Sequence, residues 1–333
     1  MELTIIVAGQ IKQPLITEMD HLDRLISRGN SRASKSQTTL EFLYQLFYTE
    51  TEKQNYPVAA TSALVDLDNV KNKIFMRADP VLLHADLASL LLFDSQKLSI
   101  TKEDVDAIFS KINSFLKADN LRLICGENFS RWYLELADNK IPQELVTTSP
   151  KEANGQDVGP FLPQGKDSAY WIQLSNEIQM LLYESSINQE RQLKGEAPIN
   201  SVWFWGQGQC LKQNSISIKD EFDGILSNDV NAEGLAKLAD IAHENIPMDF
   251  ERWLAKEGKG KKVLMVLSDG DLAVSEPENY ISWLVDQDNK IFKPALTNLK
   301  KGRLKKLEVK ADDQHFIVKW HHLYRFWRKV KAA

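Results

Sequence analysis

The sequence predicts a mixed α/β fold. Three features carry that expectation. Short runs of β-branched and other apolar residues stop at glycine or aspartate, segments with apolar residues at three-to-four spacing lie between them, and the two kinds alternate over most of the 333 residues. A chain of this length buries a large core, and 43% hydrophobic with 26% charged residues is the make-up of a folded globular protein.

The elements follow in order. Leu3 to Ala8 reads as a buried strand stopped by Gly9. Residues 14–30 place Leu15, Met19, Leu22, Leu25 and Ile26 near helical spacing and end at Gly29. The polar loop NSRASKSQTT leads to the helix LEFLYQLFYTE, and Asn55 to Ala60 leads into another short helix. Two strand-like pieces follow, IFMRADPVLLHAD and SLLLFD. Thr101 and Asp104 make an acidic capping box at the start of the helix DVDAIFSKINSFLKAD, and the alternating strands NLRLICG and RWYLELA come next. Residues 142–168 concentrate proline and glycine and read as a long irregular loop. Trp171, Leu174, Ile178, Leu181 and Leu182 then line one side of a helix running to about Ser185, with INQERQLKGEAP as its polar exit. The strand PINSVWFWGQGQ is followed by a loop, the helices AEGLAKLADIAHE and DFERWLAKE, and the strand VLMVL. The helix ENYISWLVDQD, a basic turn, the hairpin LKKLEVK/HFIVKW and the tail HHLYRFWRKVK complete the chain.

Charge and cysteine content narrow the classes of function. A net charge of -5 gives no case for general nucleic-acid affinity, although the stretch from Lys290 to Lys331 is strongly basic. Cys125 and Cys210 show no zinc-like spacing and read as buried thiols of a reducing compartment. The amino terminus lacks a basic region before an apolar core, so no secretory signal is expected. The longest apolar runs, Leu87 to Phe93 and Val263 to Leu267, are too short for a bilayer, and the cytoplasm is the expected compartment.

Several motifs admit a chemical and a structural reading. A strand ending in Gly206-Gln207-Gly208 lets backbone N–H groups approach an anion, with Asn188, Arg191 and Asn200 supplying side-chain contacts. The same residues describe a core strand whose aromatics pack and whose glycines turn, and residue types alone favour that. His84 and Asp86 share one face of a strand near Arg77 and Asp79, but no third metal ligand is evident. Ser268-Asp269-Gly270-Asp271 follows a hydrophobic strand, where α/β enzymes place catalytic acids, and equally spells an ordinary Asp-Gly turn. The tail from Trp320 to Lys329 interleaves aromatics with basic residues, a pattern for nucleic-acid stacking or an acidic partner. With the net charge acidic, burial of alternate tail residues is the favoured account. No GxSxG, Walker or HExxH motif occurs.

Read together, Asn188, Arg191, Gly195, Pro198, Asn200, Trp203, Trp205, Gly206 and Gly208 form an ordered block. It resembles the His-Pro-x-Asn, Arg, Gly, Pro-x-Asn, Trp-x-Trp-Gly-x-Gly segment of the archaeal-type cofactor-independent phosphoglycerate mutases. The chain is also similar to a short bacterial branch described as mutase-like or as RpfE-type regulatory proteins, through FLPQG at Phe161 to Gly165, NEIQMLL at Asn176 to Leu182 and RFWR at Arg325 to Arg328. The resemblance implies a reduced alkaline-phosphatase-like α/β core, residues 1–70 and 201–333, carrying an inserted α+β substrate-type domain at 71–200.

The departures bear on activity. The resemblance implies two divalent metals held by aspartates and histidines, with a serine or threonine that carries the phosphoryl group. The family's first strand ends in Asp-Gly, where this chain has Ala8-Gly9. Its late Asp-His is matched by Asp269-Gly270, its Asp-x-x-x-His is missing, and Ser186 replaces the proline before Asn188. The expectation is a non-catalytic relative without a cofactor that binds a phosphorylated small acid and reports it to a regulatory protein partner. Asn188, Arg191, Asn200, Trp203, Trp205, Gly206, Gln207 and Gly208 would line the pocket. Two alternatives stand beside it: a manganese-dependent mutase or phosphatase using Asp269, Asp271 and His84, and an interaction protein acting through the basic aromatic tail.

Overall fold

The computed structural model describes the chain except for residues 12–18, 33–37, 49–55, 88, 138–141, 143, 210–221, 257–259, 269–276, 326 and 329–333. The chain divides into two compact units, Met1–Glu50 with Lys212–Ala333, and Thr51–Leu211. The helix Val58–Asp66 and the strand Ser201–Gln209 belong to the second unit.

The first unit is built on a seven-stranded sheet. Its strands are β1 (Glu2–Val7), β2 (Asn30–Ser31), β10 (Gly224–Ser227), β11 (His243–Glu244), β12 (Lys262–Leu267), β13 (Lys306–Lys310) and β14 (His315–Lys319), in the order β11-β10-β12-β1-β13-β14-β2. β1 is central and parallel to both β12 and β13, while the β13/β14 hairpin and β2 are antiparallel. Alternation along β1 sends Leu3, Ile5 and Val7 into a core with Leu22, Leu25, Met265, Phe292, Leu299 and Leu307. That core is roofed by α1 (Asp20–Arg28), α10 (Pro277–Gln287) and α11 (Lys293–Lys300). α2 (Thr39–Phe47), α8 (Val230–Ala239) and α9 (Phe250–Lys256) complete the unit.

The start of α1 is held by a distant carboxylate. Asp288, 1% exposed, accepts from the backbone N–H groups of His21 and Leu22 at 3.2 and 2.6 Å, and its Oδ2 lies 2.9 Å from His21 Nδ1. An acidic group at a helix amino terminus answers its unpaired donors and its dipole. Asp288 opens a π-helical turn, Asp288–Phe292, that joins α10 to α11. The expected basic turn is therefore mostly helix, with Pro294 just after the π-helical turn.

The second unit holds a five-stranded sheet. β3 (Ile74–Ala85) is its spine and pairs antiparallel with β4 (Leu90–Phe93), β6 (Trp132–Leu136) and β9 (Ser201–Gln209), while β5 (Arg122–Cys125) pairs with β6. α4 (Lys102–Leu116) and α6 (Ser168–Tyr183) bury Ile108, Ile112, Trp171, Leu174 and Ile178 against it. Thr101 and Asp104 form the capping box that opens α4. α3 (Val58–Asp66) packs Ala59, Ala60 and Ala63 with Phe75 and Tyr133. Residues 142–168 are less irregular than expected: β7 (Leu145–Val146) pairs with β8 (Gln164–Gly165), and α5 (Pro150–Ala153) lies between. The expected polar exit after α6 is itself helical, α7 (Ser186–Leu193). Among the described residues no helix is long and apolar enough to cross a membrane.

Candidate functional site

The block around PINSVWFWGQGQ lies wholly in the second unit, and most of its polar side-chain atoms bond the chain itself, Arg191 Nη2 and Ser201 Oγ being buried exceptions. Asn188 Nδ2 donates to the carbonyls of Leu182 and Ile199, both at 2.9 Å, and its Oδ1 accepts from Ile199 N. Asn200 exchanges two hydrogen bonds of 2.8 Å with the backbone of Leu83. Arg191, 1% exposed, donates from Nε to Ala197 O at 2.9 Å, and from Nη1 to Ser99 O at 3.0 Å and Asp104 Oδ2 at 2.6 Å. Its Nη2 is buried and is the donor of this group without a partner. These bonds tie α7 to the start of α4 and to the entry of β9.

The aromatic and glycine half of the block fastens the segment around β7 onto β9. Trp203 Nε1 donates to Thr148 O at 2.8 Å, and Gln207 Nε2 donates to Leu145 O at 2.5 Å. Thr147 Oγ1 donates to Gln207 Oε1 at 2.9 Å and accepts from Gly206 N at 3.1 Å. Gly208 meets the start of α3: a Cβ there would lie 2.6 Å from Pro57 Cβ and 2.8 Å from Pro57 Cα. Close backbone approach therefore explains this glycine without any anion. Gly208→Ala is expected to cost about 1–3 kcal/mol, as overpacking does, read as a lower urea midpoint.

A buried ionic network continues from the same strand. Trp205 Nε1 donates to Asp79 Oδ2 at 2.7 Å, and Asp79 Oδ1 accepts from Arg77 Nε and Nη2 at 2.9 and 2.6 Å. The Arg77 guanidinium lies between the rings of Tyr133 and Trp205, 5.2 and 5.5 Å from their centroids. Tyr133 donates its hydroxyl to Asp66 Oδ2 at 2.7 Å, and Arg131 grips both oxygens of Asp66 at 2.6 Å. Cys125 sits nearby, and burial, followed by the charge of Asp66, pushes its thiol up to about 11. A thiol so raised is a poor nucleophile. His84 and Asp86 are exposed near the far end of β3, whereas Asp79 is buried, so the sequence neighbours form no ligand set. Among the described residues no group of three or more His, Cys, Asp or Glu side chains is placed to hold a metal. Asp269 and Asp271 lie outside the described residues.

In the first unit the carboxyl ends of the parallel strands mark where open α/β sheets bind ligands. β1 ends there at Val7, and Ala8, 8% exposed, and Gly9, with φ +78°, follow it. Tyr280 donates its hydroxyl to Ala8 O at 2.7 Å, a Cβ on Gly9 would stand 2.8 Å from that hydroxyl, and Gln10 O lies 3.2 Å from it. Thr39 opens α2 beside the same strand end and donates to Val7 O at 3.3 Å. At the end of β10, Ser227 Oγ donates to Val266 O, Asp229 caps α8 through the N–H groups of Asn231 and Ala232, and His243 Nε2 lies 3.0 Å from Ser227 O. Tyr280 and Thr39 were not singled out from sequence. For Thr39 a signal existed: Thr38-x-x-Glu41 is a capping box, formed here, which sets hydroxyls at a helix start.

No known family model matches the chain. A 2,3-bisphosphoglycerate-independent phosphoglycerate mutase of Methanosarcina mazei is 24% identical over 159 residues, 47% of this chain and 40% of that protein. A probable enzyme of the same description from Geobacter sulfurreducens is 23% identical over 175 residues, 53% of this chain and 43% of its own. The chain thus spans less than half the length of these relatives. Among solved structures, the PH0037 protein from Pyrococcus horikoshii superposes with a TM-score of 0.50 at 12% identity, covering 96% of this chain and 87% of that one. A cofactor-independent phosphoglycerate mutase from Thermoplasma acidophilum gives a TM-score of 0.43 at 13% identity, covering 96% and 90%. Over about half its length, the chain is related to the 2,3-bisphosphoglycerate-independent phosphoglycerate mutases.

Proposed function

We propose that this protein is a regulatory, non-catalytic relative of the cofactor-independent phosphoglycerate mutases that holds a phosphorylated small acid, or a similar anion, without transforming it. The observation that carries the reading is the end of β1. Where the mutase pattern sets a metal-binding aspartate, the chain has the methyl group of Ala8, and the Tyr280 hydroxyl bonds the adjoining carbonyl. A methyl group cannot ligate a cation, and phosphoryl transfer without its metals loses the charge neutralisation that makes it fast. The kinship with mutases supports an anionic ligand, and the FLPQG, NEIQMLL and RFWR matches support a place in the RpfE-type regulatory branch.

Titration calorimetry with 3-phosphoglycerate, paired with a coupled mutase assay in manganese, tests this. Saturable heat with no turnover is the expected pair of results. Turnover abolished by Asp269→Ala would replace the reading with that of an active enzyme, and absence of heat at millimolar ligand would remove the anion.

A further inference from the structure

We propose that the first unit carries a docking groove for single-stranded nucleic acid that starts at the amino-terminal ends of its parallel strands and runs along β13 as far as Lys310. Two hollows, of about 290 and 480 Å³, adjoin at Glu2 and Lys306, which line both. Lys262, Lys306 and Lys310 line one, and Lys305, Lys306 and Lys319 line the other. The lining carboxylates are Glu2 and Glu308, and Glu308 is already engaged by Lys306 at 2.7 Å and His315 at 2.9 Å. Five lysines facing two glutamates make this a cationic place on a chain whose net charge is -5.

The strand register sharpens the point. Lys306 of β13 stands directly opposite Lys319 of β14, and Glu2 is flanked by Lys262 and Lys306. Like charges across a strand pair are unfavourable, and a polyanion laid along the groove would relieve them.

Flat surfaces adjoin the cations. Trp320 lines the groove at 54% exposed, and Tyr324 and Trp327 follow at 66% and 67%. The ring of Trp320 meets those of His321 and Tyr324 edge-on, at 88° and 84°, which leaves faces for stacking. An acidic peptide would satisfy the lysines and leave the exposed rings without a role. A single strand of nucleic acid uses both, phosphates on lysine and bases on aromatic faces. The overall charge argued against such a partner, but the field that matters is local.

The test is fluorescence anisotropy of the full chain with labelled oligothymidylate and oligouridylate of about twenty nucleotides, several times the few bases one aromatic platform stacks. Between about 50 and 200 mM salt the affinity should fall with a log–log slope near -3, as expected for about four neutralised phosphates of a single strand. Lys305→Glu with Lys319→Glu should flatten that slope and lower affinity about tenfold or more. Trp320→Ala should lower affinity about fivefold with the slope unchanged, because it removes stacking and no charge. All three positions are exposed, so unchanged circular dichroism and melting temperature keep a loss of binding separate from a loss of fold. Absence of binding at low salt would overturn the proposal. So would polyglutamate competing as well as the oligonucleotides while Trp320→Ala stays silent, which would assign the groove to an acidic polypeptide.

Discussion

Replacing Arg191 by alanine is expected to destabilise the second unit by about 3–5 kcal/mol, the usual consequence of removing one member of a buried ion pair. Its guanidinium holds the carbonyls of Ser99 and Ala197 and the carboxylate of Asp104, and Asp104 itself caps α4. The substitution would remove the opposite charge bonded to that buried carboxylate, leaving it Thr101 as donor, and would free the part-buried carbonyls of Ser99 and Ala197. Urea unfolding checks the expectation, with the transition of the second unit moving to lower denaturant and that of the first staying in place. A double-mutant cycle with Asp104→Ala should return a coupling of about 1–3 kcal/mol, since the two side chains touch. A variant of wild-type stability that has lost anion binding would instead mark Arg191 as a ligand group.

Asp66→Ala should be nearly as damaging, at about 3 kcal/mol, because it strands Arg131 and Tyr133 around an emptied oxygen site. It also carries a chemical readout. With Asp66 gone, the site opens to water and the negative charge that helps hold the Cys125 thiol up is removed, so the thiol should ionise at lower pH. In a Cys210→Ser background, a disulfide reagent near neutral pH should modify Cys125 faster in the variant than in the parent.

The same carboxylate shapes the acid limit of stability. Burial alone would raise Asp66, but hydrogen bonds from Arg131 and Tyr133 outweigh it and hold the group below its ordinary value. In the first unit, the hydrogen bond from His315 does the same for Glu308 against burial, with Lys306 assisting, and brings it to about 2. Both groups have folded values below their unfolded ones. Their contribution is therefore complete above the unfolded carboxylate range and drains away as pH falls, from about pH 5 toward about pH 2. Asp66→Ala should flatten that limb for the second unit only.

The strands were the most legible part of the fold. β1, β3, β6, β12 and the β13/β14 hairpin declare themselves because alternation or a short apolar run matches the pleat they adopt. α7 was hidden because its sequence, SINQERQL, has almost no apolar stripe and is held by the hydrogen bonds of Asn188 and Arg191 rather than by hydrophobic burial. α11 was hidden by its lysines and its proline. The helix expected through Glu244 stops at Ala239, where Asp240 turns left-handed at φ +56° and His243 joins the sheet. The site was legible in another sense. The residues of the block stand out in the sequence as an ordered set, yet residue types do not distinguish an arginine facing a ligand from one facing Asp104. The absence of an aspartate at Ala8 was visible directly, whereas Tyr280, which bonds that strand end, is brought there only by the tertiary fold.

The central place of β1 dictates an order of assembly. Its neighbours are residues 262–267 and 306–310, so the middle of the first sheet cannot close until residues 306–310 have left the ribosome. The second unit, continuous from Thr51 to Leu211, is complete in sequence long before then. During synthesis the amino-terminal strand must wait, apolar and unpaired, while the inserted unit folds.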